Sequence, residues 1–186
     1  MKGYYKQDAL TKETLTEDGW LMTGDIAEMY PDGTMQIIDR KKNLVKLSNG
    51  EYIALEKLEA GYKTNKYVLN ICVYADSNEA FPIAVVVPIE KELVEFGRTL
   101  GLDGKDLEVH NLVGDKRVQK EVLGDLRETA KRLGFKGADV LGAIHLTGDE
   151  WTPQNEMLTA AQKLKRNDIN KHYKAELAAV YKGGRQ

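Results

Sequence analysis

Two mostly apolar runs near the middle of the chain constrain its fold more than any other feature. They read YVLNICVYA, at residues 67–75, and FPIAVVVP, at residues 81–88. Both are short and rich in β-branched side chains, which is typical of strands that are buried on both faces. A third apolar run, GAIHLTG at residues 142–148, indicates another strand. The sequence therefore predicts a three-stranded sheet that is covered by helices.

Amphipathic segments around these runs supply the predicted cover. One helix is expected within residues 54–65, a short one at 91–101, a longer one at 115–134 and a last one from about Asp168, because apolar residues recur there at helical spacing. The residues on the predicted buried faces are Leu55, Leu58 and Tyr62; Val118, Val122, Leu126, Ala130 and Leu133; and Ile169, Tyr173, Leu177 and Tyr181.

The first part of the chain has a different character. The turn signal Pro31-Asp32-Gly33 separates two strand-like runs, Ile26–Tyr30 and Thr34–Ile38, which predicts a β-hairpin. A lone hairpin is only marginally stable in water. We therefore expect residues 1–38 to be a β-rich remnant of a larger domain, and residues 39–186 to be a small α+β domain.

Composition excludes several classes of protein. The 186 residues are 42% hydrophobic and 30% charged, which is ordinary for a globular domain, and the net charge of −2 gives no basic field for nucleic acid. No apolar run approaches the ~18 residues of a membrane span, and the first residues lack a signal-peptide core. The single cysteine, Cys72, precludes an internal disulfide and is predicted to be a buried, inert thiol. We expect an intracellular protein, cytoplasmic or on the cytosolic face of an organelle membrane, whose membrane association, if any, is not encoded here.

No local motif for a metal or a phosphate is present. The three histidines are far apart in sequence and have no metal-ligand spacing, so we expect no metal site. The chain also lacks a Walker loop, a GxGxxG turn and a GxSxG elbow. A nucleotide site would have to be completed by another domain.

Three polar segments each admit two interpretations. Asp25, in TGD, could hold a turn or grip a ribose diol. The run DRKKN, residues 39–43, could be a solvated linker or a hinge, with Arg40 placed near a passing anion. In LTAAQKLKRND, residues 158–168, Lys163 could be a solvent-facing charge or could reach a neighbouring cleft and neutralise charge there.

Two long segments together resemble the adenylate-forming enzymes. GWLMTGDIAEMYPDGTMQIIDRKKNLVKLSNGEYIALEKLE, residues 19–59, resembles the end of their large domain, the hinge and the start of the small mobile lid domain. EWTPQNEMLTAAQKLKRNDI, residues 150–169, resembles their final lysine loop. DRKKNLVKLSNGEYIALEKLE, WTPQNEMLTAAQKLKR and the helical stretch at residues 90–140 are typical of eukaryotic long-chain fatty-acyl-CoA synthetases.

This resemblance implies a two-step ligase reaction. A long-chain fatty acid attacks the α-phosphate of ATP to give acyl-AMP, and the thiol of CoA then displaces AMP. The phosphate loop, the adenine motif, the Mg²⁺-binding glutamate and the fatty-acid tunnel of such enzymes belong to an upstream domain. The chain alone is therefore expected to be catalytically incompetent.

The resemblance also implies roles for six residues. Asp25 resembles the carboxylate that binds the ribose hydroxyls, Arg40 a nucleotide contact and Asp39 the hinge residue. Lys163 resembles the lysine that bridges the substrate carboxylate and the α-phosphate. The face used for thioester formation would include the residues Lys46 and Gly50.

The chain departs from the family pattern at two positions. Many relatives have glycine before the final lysine, where this chain has Gln162, as the long-chain branch often does. Leu55 stands where relatives often have proline, so we expect that loop to differ from theirs.

Two other functions remain open at this point. The chain could be a stand-alone, non-catalytic module that binds a nucleotide, CoA or another protein. It could also be part of an adenylation domain that serves a carrier protein, although the helical stretch at residues 90–140 argues against this.

Overall fold

The computed structural model describes residues 1–186 and divides into two units, Met1–Asn43 and Leu44–Gln186. This division falls five residues after the predicted boundary at residue 38. The assignment of the two parts to domains of a larger enzyme stays a prediction.

The smaller unit is built on the predicted hairpin. Strand β1, Asp25–Met29, pairs antiparallel with β2, Met35–Arg40, and a short helix, α1, at Asp8–Thr14 precedes them. The pairing confirms the predicted hairpin, although β2 begins one residue later than expected and extends to Arg40. A 3₁₀ turn at Lys41–Asn43 follows β2.

The smaller unit has no apolar core. Its buried residues are both polar, Asp39 and Asn43, which are 4% and 7% exposed. Its large apolar side chains lie mostly at the surface, which is unusual because folding is driven by the removal of such surface from water. The exposed ones are Met1, Tyr4, Tyr5, Leu10, Trp20, Leu21, Met22, Met29, Tyr30, Met35, Ile37 and Ile38.

The larger unit has the predicted three-stranded sheet. Its strands are β5 (Val68–Tyr74), β6 (Ile83–Pro88) and β7 (Ala143–Leu146), in the order β5-β6-β7. β6 pairs antiparallel with β5 and parallel with β7. A small hairpin of β3, Leu44–Lys46, and β4, Tyr52–Ala54, comes before the sheet.

The helices of the larger unit lie between and after these strands. Their bounds are Leu55–Tyr62 for α2, Glu90–Thr99 for α3, Val109–Leu112 for α4, Lys116–Arg132 for α5, Arg166–His172 for α6 and Lys174–Lys182 for α7. α2 links the small hairpin to the sheet, α3, α4 and α5 lie between β6 and β7, and α6 and α7 are the last helices. No helix is long and apolar enough to cross a membrane.

The central strand β6 is buried along its whole length. Because side chains alternate along a strand, Ala84 and Val86 enter one hydrophobic cluster, and Ile83, Val85 and Val87 enter another on the opposite face. This confirms burial on both faces for the second apolar run. The same prediction is confirmed only in part for the first apolar run, because Leu69 of β5 is 47% exposed.

One hydrophobic cluster lies under α2 and α5, and its predicted residues are buried with a single exception. The prediction that Leu133 is buried is wrong, because this residue is 44% exposed. The helix ends at Arg132, and the amides of Gly134 and Phe135 bond back to the carbonyls of Lys131 and Ala130. This Schellman motif reverses the chain, so that Phe135 packs edge-on against Tyr62 in place of Leu133.

The last predicted helix is in fact two helices. They begin at Arg166 and are interrupted at Tyr173, whose φ and ψ are −93° and 23°. The Tyr173 hydroxyl is held by Trp151 Nε1 at 3.1 Å, Thr147 Oγ1 at 3.2 Å and Asp149 Oδ2 at 3.0 Å. These bonds hold Tyr173 in the core while the backbone around it departs from helical geometry. Ile169, Tyr173 and Leu177 are buried as predicted.

Leu126 and Leu133 provide a test of this packing. Leu126→Ala should lower the free energy of unfolding by about 2–5 kcal/mol, because it leaves a cavity in a closed core. Leu133→Ala should lower it by less than about 1 kcal/mol, because Leu133 is largely exposed. Urea unfolding followed by circular dichroism measures both, and equal losses would contradict the register of α5.

Candidate functional site

Asp25 and Arg40 lie side by side in the smaller unit. They face each other across the hairpin, at the start of β1 and the end of β2, with Arg40 Nε 3.7 Å from Asp25 Oδ1. The amide of Lys41 donates to the carbonyl of Gly24 at 2.8 Å and closes this end of the ladder. Both side chains are accessible. A carboxylate and a guanidinium are thus available together to a polar ligand.

Asp39 is buried beside this pair. Its carboxylate accepts hydrogen bonds from the amide of Arg40 at 2.6 Å and from Asn43 Nδ2 at 3.1 Å. A buried carboxylate needs such donors. Asp39 therefore stabilises the 3₁₀ turn at Lys41–Asn43, where the chain leaves the hairpin.

Lys46 and Gly50 belong to the β3–β4 hairpin. Lys46 pairs with Tyr52 across the strands, and its ammonium lies 5.7 Å from the Tyr52 ring centroid. In the turn, the amide of Gly50 donates to Leu47 O at 2.9 Å, and the amide of Leu47 donates to Glu51 O at 2.8 Å. Gly50 has a φ of +87°, and a Cβ placed there would meet no atom within 4 Å. The surface above Gly50 is open.

Lys163 follows a turn with the same hydrogen-bond pattern. The amide of Gln162 donates to Thr159 O, and the amide of Thr159 donates to Lys163 O, each at 2.8 Å. Gln162 occupies the left-handed position with a φ of +60°. This is the geometry of a three-residue hairpin loop, in which glycine commonly takes that position. The bridge between Leu158 and Leu164 closes the loop.

The three cations of this loop have different environments. Lys163 is exposed, and its ammonium makes no ion pair. Lys165 lies 3.0 Å from Asp168 and 3.6 Å from Glu156, and the hydrogen bond to Asp168 raises its pKa. Arg166 is buried. Lys163 is thus the cation of the loop that is available to a ligand.

Sequence reasoning did not identify the partner of Arg166, which is Glu59 on α2. The two side chains form a fork, with Nη1 2.7 Å from Oε1 and Nη2 2.9 Å from Oε2. Glu59 follows Leu55 and Leu58 on the apolar face of α2. A charged residue on a predicted buried face was the signal that a partner was needed.

Cys72 lies beneath this ion pair and confirms the prediction of a buried thiol. It is 1% exposed, and burial raises its pKa to about 12. A thiol in this state is a poor nucleophile, because the thiolate is the reactive form. No group of three His, Cys, Asp or Glu side chains in the chain could hold a metal ion.

Comparison with solved structures defines the class of fold. The A domain of carboxylic acid reductase from Segniliparus rugosus, in complex with AMP and a co-purified carboxylic acid, matches 98% of this chain and 26% of its own, with a TM-score of 0.84 and 32% identity. The adenylation domain of the carboxylate reductase of Mycobacterium chelonae matches with a TM-score of 0.82 and 29% identity, over 96% of this chain and 26% of its own. The chain has the fold of a C-terminal part of adenylate-forming enzymes. No protein-family model matches it.

Sequence comparison then specifies the branch. Long-chain-fatty-acid–CoA ligase 1 of Saccharomyces cerevisiae is 48% identical over 181 residues, which is 96% of this chain and 26% of the ligase. Ligase 1 of Schizosaccharomyces pombe is 42% identical over 180 residues, 97% of this chain and 27% of its own. The chain is a homologue of long-chain-fatty-acid–CoA ligases, as its motifs predicted, and spans about a quarter of their length.

Substitutions at the left-handed positions of the two turns should have different effects on the free energy of unfolding. Gly50→Ala should lower the free energy of unfolding by about 1–2 kcal/mol, because a Cβ is unfavourable at positive φ. Gln162→Gly should be neutral or stabilising by up to about 1 kcal/mol, because relief of strain exceeds the greater freedom of the unfolded chain. Chemical denaturation of both variants is the measurement. A stabilising Gly50→Ala would contradict the turn geometry.

Proposed function

We propose that this chain is the C-terminal part of an ATP-dependent long-chain fatty-acid–CoA ligase. The similarity to ligases over 96% of the chain carries the proposal. In the proposed reaction, a fatty acid and ATP give acyl-AMP and pyrophosphate, and CoA then gives acyl-CoA and AMP. Since ATP and CoA are intracellular substrates, we place the enzyme in the cytoplasm or on the cytosolic face of an organelle membrane.

Lys163 is assigned to the first step. Attack by a carboxylate on a triphosphate brings two anions together, so a cation lowers the barrier by electrostatic stabilisation and by positioning. Lys163 suits this role, because its ammonium is exposed, unpaired and carried on a closed turn. The Mg²⁺ that accompanies ATP is assigned to residues outside this chain.

Asp25 and Arg40 are assigned to the nucleotide. The Asp25 carboxylate can accept hydrogen bonds from both hydroxyls of a ribose, and the Arg40 guanidinium can pair with a phosphate oxygen. Their separation of 3.7 Å is compatible with one ligand that contacts both. Asp39 is assigned to the hinge on which the lid domain turns between the two steps.

Lys46 and Gly50 are assigned to the second step. A pantetheine arm is thin and must bring its thiol to the acyl carbonyl, which favours a path along backbone that lacks side chains. The open space above Gly50 fits such a path. Lys46, exposed on the adjoining strand, can attract the phosphates of CoA.

The smaller unit supports the presence of a large upstream domain. Its apolar side chains lie at the surface, and they extend over both the hairpin and the segment before it. We assign this surface to a contact with the upstream domain, which would supply the fatty-acid tunnel and the phosphate loop.

A second candidate is an adenylation domain that transfers its acyl group to a carrier protein. It is favoured by the likeness to the A-PCP didomain of the carboxylic acid reductase of Segniliparus rugosus, with a TM-score of 0.82 and 32% identity. The higher identity to CoA ligases favours CoA as the acceptor. Acyl transfer to free CoA and to a pantetheinylated carrier, measured side by side, distinguishes the two.

A third candidate is the stand-alone binding module. Isothermal titration of residues 1–186 with AMP and with CoA tests it directly. Micromolar binding by the isolated chain would favour the module, whereas the ligase proposal expects binding only when the upstream domain is joined to it.

Lys163→Ala should strongly slow the first half-reaction and spare the second. The host for the test is a chimera in which this chain replaces the aligned quarter of Saccharomyces cerevisiae ligase 1. Palmitate-dependent ATP–pyrophosphate exchange should fall by about 10²–10³-fold, because an electrostatic contact to the transition state is lost. Conversion of supplied palmitoyl-AMP and CoA to palmitoyl-CoA should stay near the unmodified rate. Equal loss of both half-reactions would refute the role of Lys163.

A substitution at Gly50 should have the opposite selectivity. Gly50→Asn adds a side chain to the open surface while tolerating positive φ, so it separates obstruction from backbone strain. Thiolysis of palmitoyl-AMP should slow at least about tenfold, and ATP–pyrophosphate exchange should persist, if pantetheine passes there. Gly50→Ala is the control for strain alone. Unchanged CoA transfer in Gly50→Asn would count against this path.

A further inference from the structure

The turn that carries Lys163 is defined locally but has few connections to the rest of the unit. Its hydrogen bonds join Thr159 to Gln162 and Lys163. Beyond it, the amide of Lys165 donates to Met157 O at 2.9 Å, which also lies within the same segment. The position of Lys163 is therefore set by what fixes the residues on either side of the turn, which are the buried Leu158 before it and the segment that follows it.

Arg166, three residues after Lys163, is the first polar anchor to other elements. Its side chain is 17% exposed, and that of Glu59 is 10% exposed. Besides the fork to Glu59, Arg166 Nη1 donates to Val73 O at 3.0 Å. Glu59 Oε1 also accepts the amide of Val73 at 2.8 Å. These bonds join the start of α6 to α2 and to the edge of β5.

Helix α6, which begins at Arg166, has no side-chain cap. It has seven residues, and its N-cap residue, Lys165, makes no side-chain capping bond. Helices this short are marginal unless tertiary contacts hold them. Ile169 anchors the middle of α6 in the core, and Arg166 joins its first turn to α2 and β5.

A buried ion pair contributes little net stability compared with apolar side chains of similar volume, but it imposes a defined geometry. The planar guanidinium makes the constraint stricter, because both of its terminal nitrogens are used by one carboxylate. A catalytic cation on a mobile domain must be placed accurately, since a misplacement of about 1 Å can slow a reaction by about 10²-fold.

We propose that Glu59 and Arg166 are positioning residues for Lys163. The pair holds the start of α6 at a fixed place against α2 and β5, and thereby aims the Lys163 turn during acyl-AMP formation. This inference rests on the proposed function of Lys163. The β3–β4 hairpin, which carries Gly50, has its own ladder, so the second half-reaction does not depend on the pair in this way.

Arg166→Lys in the chimeric enzyme is the central test, because it keeps the charge and removes the fork. The kcat of palmitate adenylation should fall by about 10²-fold with little change in the KM for ATP, since only the transition-state contact is misplaced. Thiolysis of supplied palmitoyl-AMP in the same preparation should remain near the unmodified rate. Glu59→Gln should act in the same direction, and the double variant should be no worse than the poorer single one, because both remove one interaction.

Tyr62→Phe is the matched control for a purely structural effect. Its hydroxyl donates to Asp139 O at 2.8 Å and accepts the amide of Leu141 at 3.2 Å, also in the larger unit. This variant should lower the thermal midpoint without separating the two half-reactions. If Arg166→Lys slows both half-reactions in parallel, as a loss of fold would, the positioning role is overturned. Unchanged adenylation in Arg166→Lys overturns it as well.

Lys163→Ala distinguishes this failure from failure of the proposed function. If Lys163→Ala is inactive in adenylation and Arg166→Lys is active, the positioning inference alone is wrong. If Lys163→Ala retains adenylation, the assigned role of Lys163 fails and the positioning inference fails with it.

Discussion

The burial of β6 on both faces is the constraint on which the larger unit depends. A strand with no exposed residue can exist only if hydrogen-bonded neighbours flank it and apolar layers cover both of its sides. β5 and β7 meet the first requirement. The layers formed by α2 and α5 on one face and by α6, α7 and the Trp151–Leu158 segment on the other meet the second. Two of the residues assigned to chemistry, Gly50 and Lys163, lie in or directly after exposed turns of this unit, outside its interior.

The two principal turns show how one local geometry can serve two purposes. Each is a three-residue hairpin loop with one left-handed residue, Gly50 in one and Gln162 in the other. Glycine leaves the first turn without a side chain at its surface, and the second presents an ammonium on a long stem. The second turn also lies next to a buried fork of hydrogen bonds, Glu59 with Arg166, whereas the first is closed by its own strands.

Sequence patterns predicted the sheet and most of the buried helix faces, because burial on both sides leaves a strong compositional signal. The sequence patterns failed where the local backbone conformation departed from a regular helix. The Schellman motif at Gly134 reverses the chain, so that Phe135 packs in the core where Leu133 was predicted. The break at Tyr173 was not predicted, because the apolar residues on its two sides keep the i+4 spacing of one continuous helix. The Glu59–Arg166 pair was not predicted, since its members are 107 residues apart. The roles of Asp25, Asp39, Arg40, Lys46, Gly50 and Lys163 came from family resemblance and stay predictions, because their ligands would be shared with a domain outside this chain.

The position of Cys72 has a consequence for following motion in this protein. The sulfur lies 3.7 Å from Arg166 Nη1, on the covered side of β5. Because Cys72 is 1% exposed, we expect an alkylating reagent to reach it only in molecules in which the cover over this side of β5 has opened. The rate at which the native Cys72 thiol is alkylated therefore measures how often this cover opens, without any introduced reporter group.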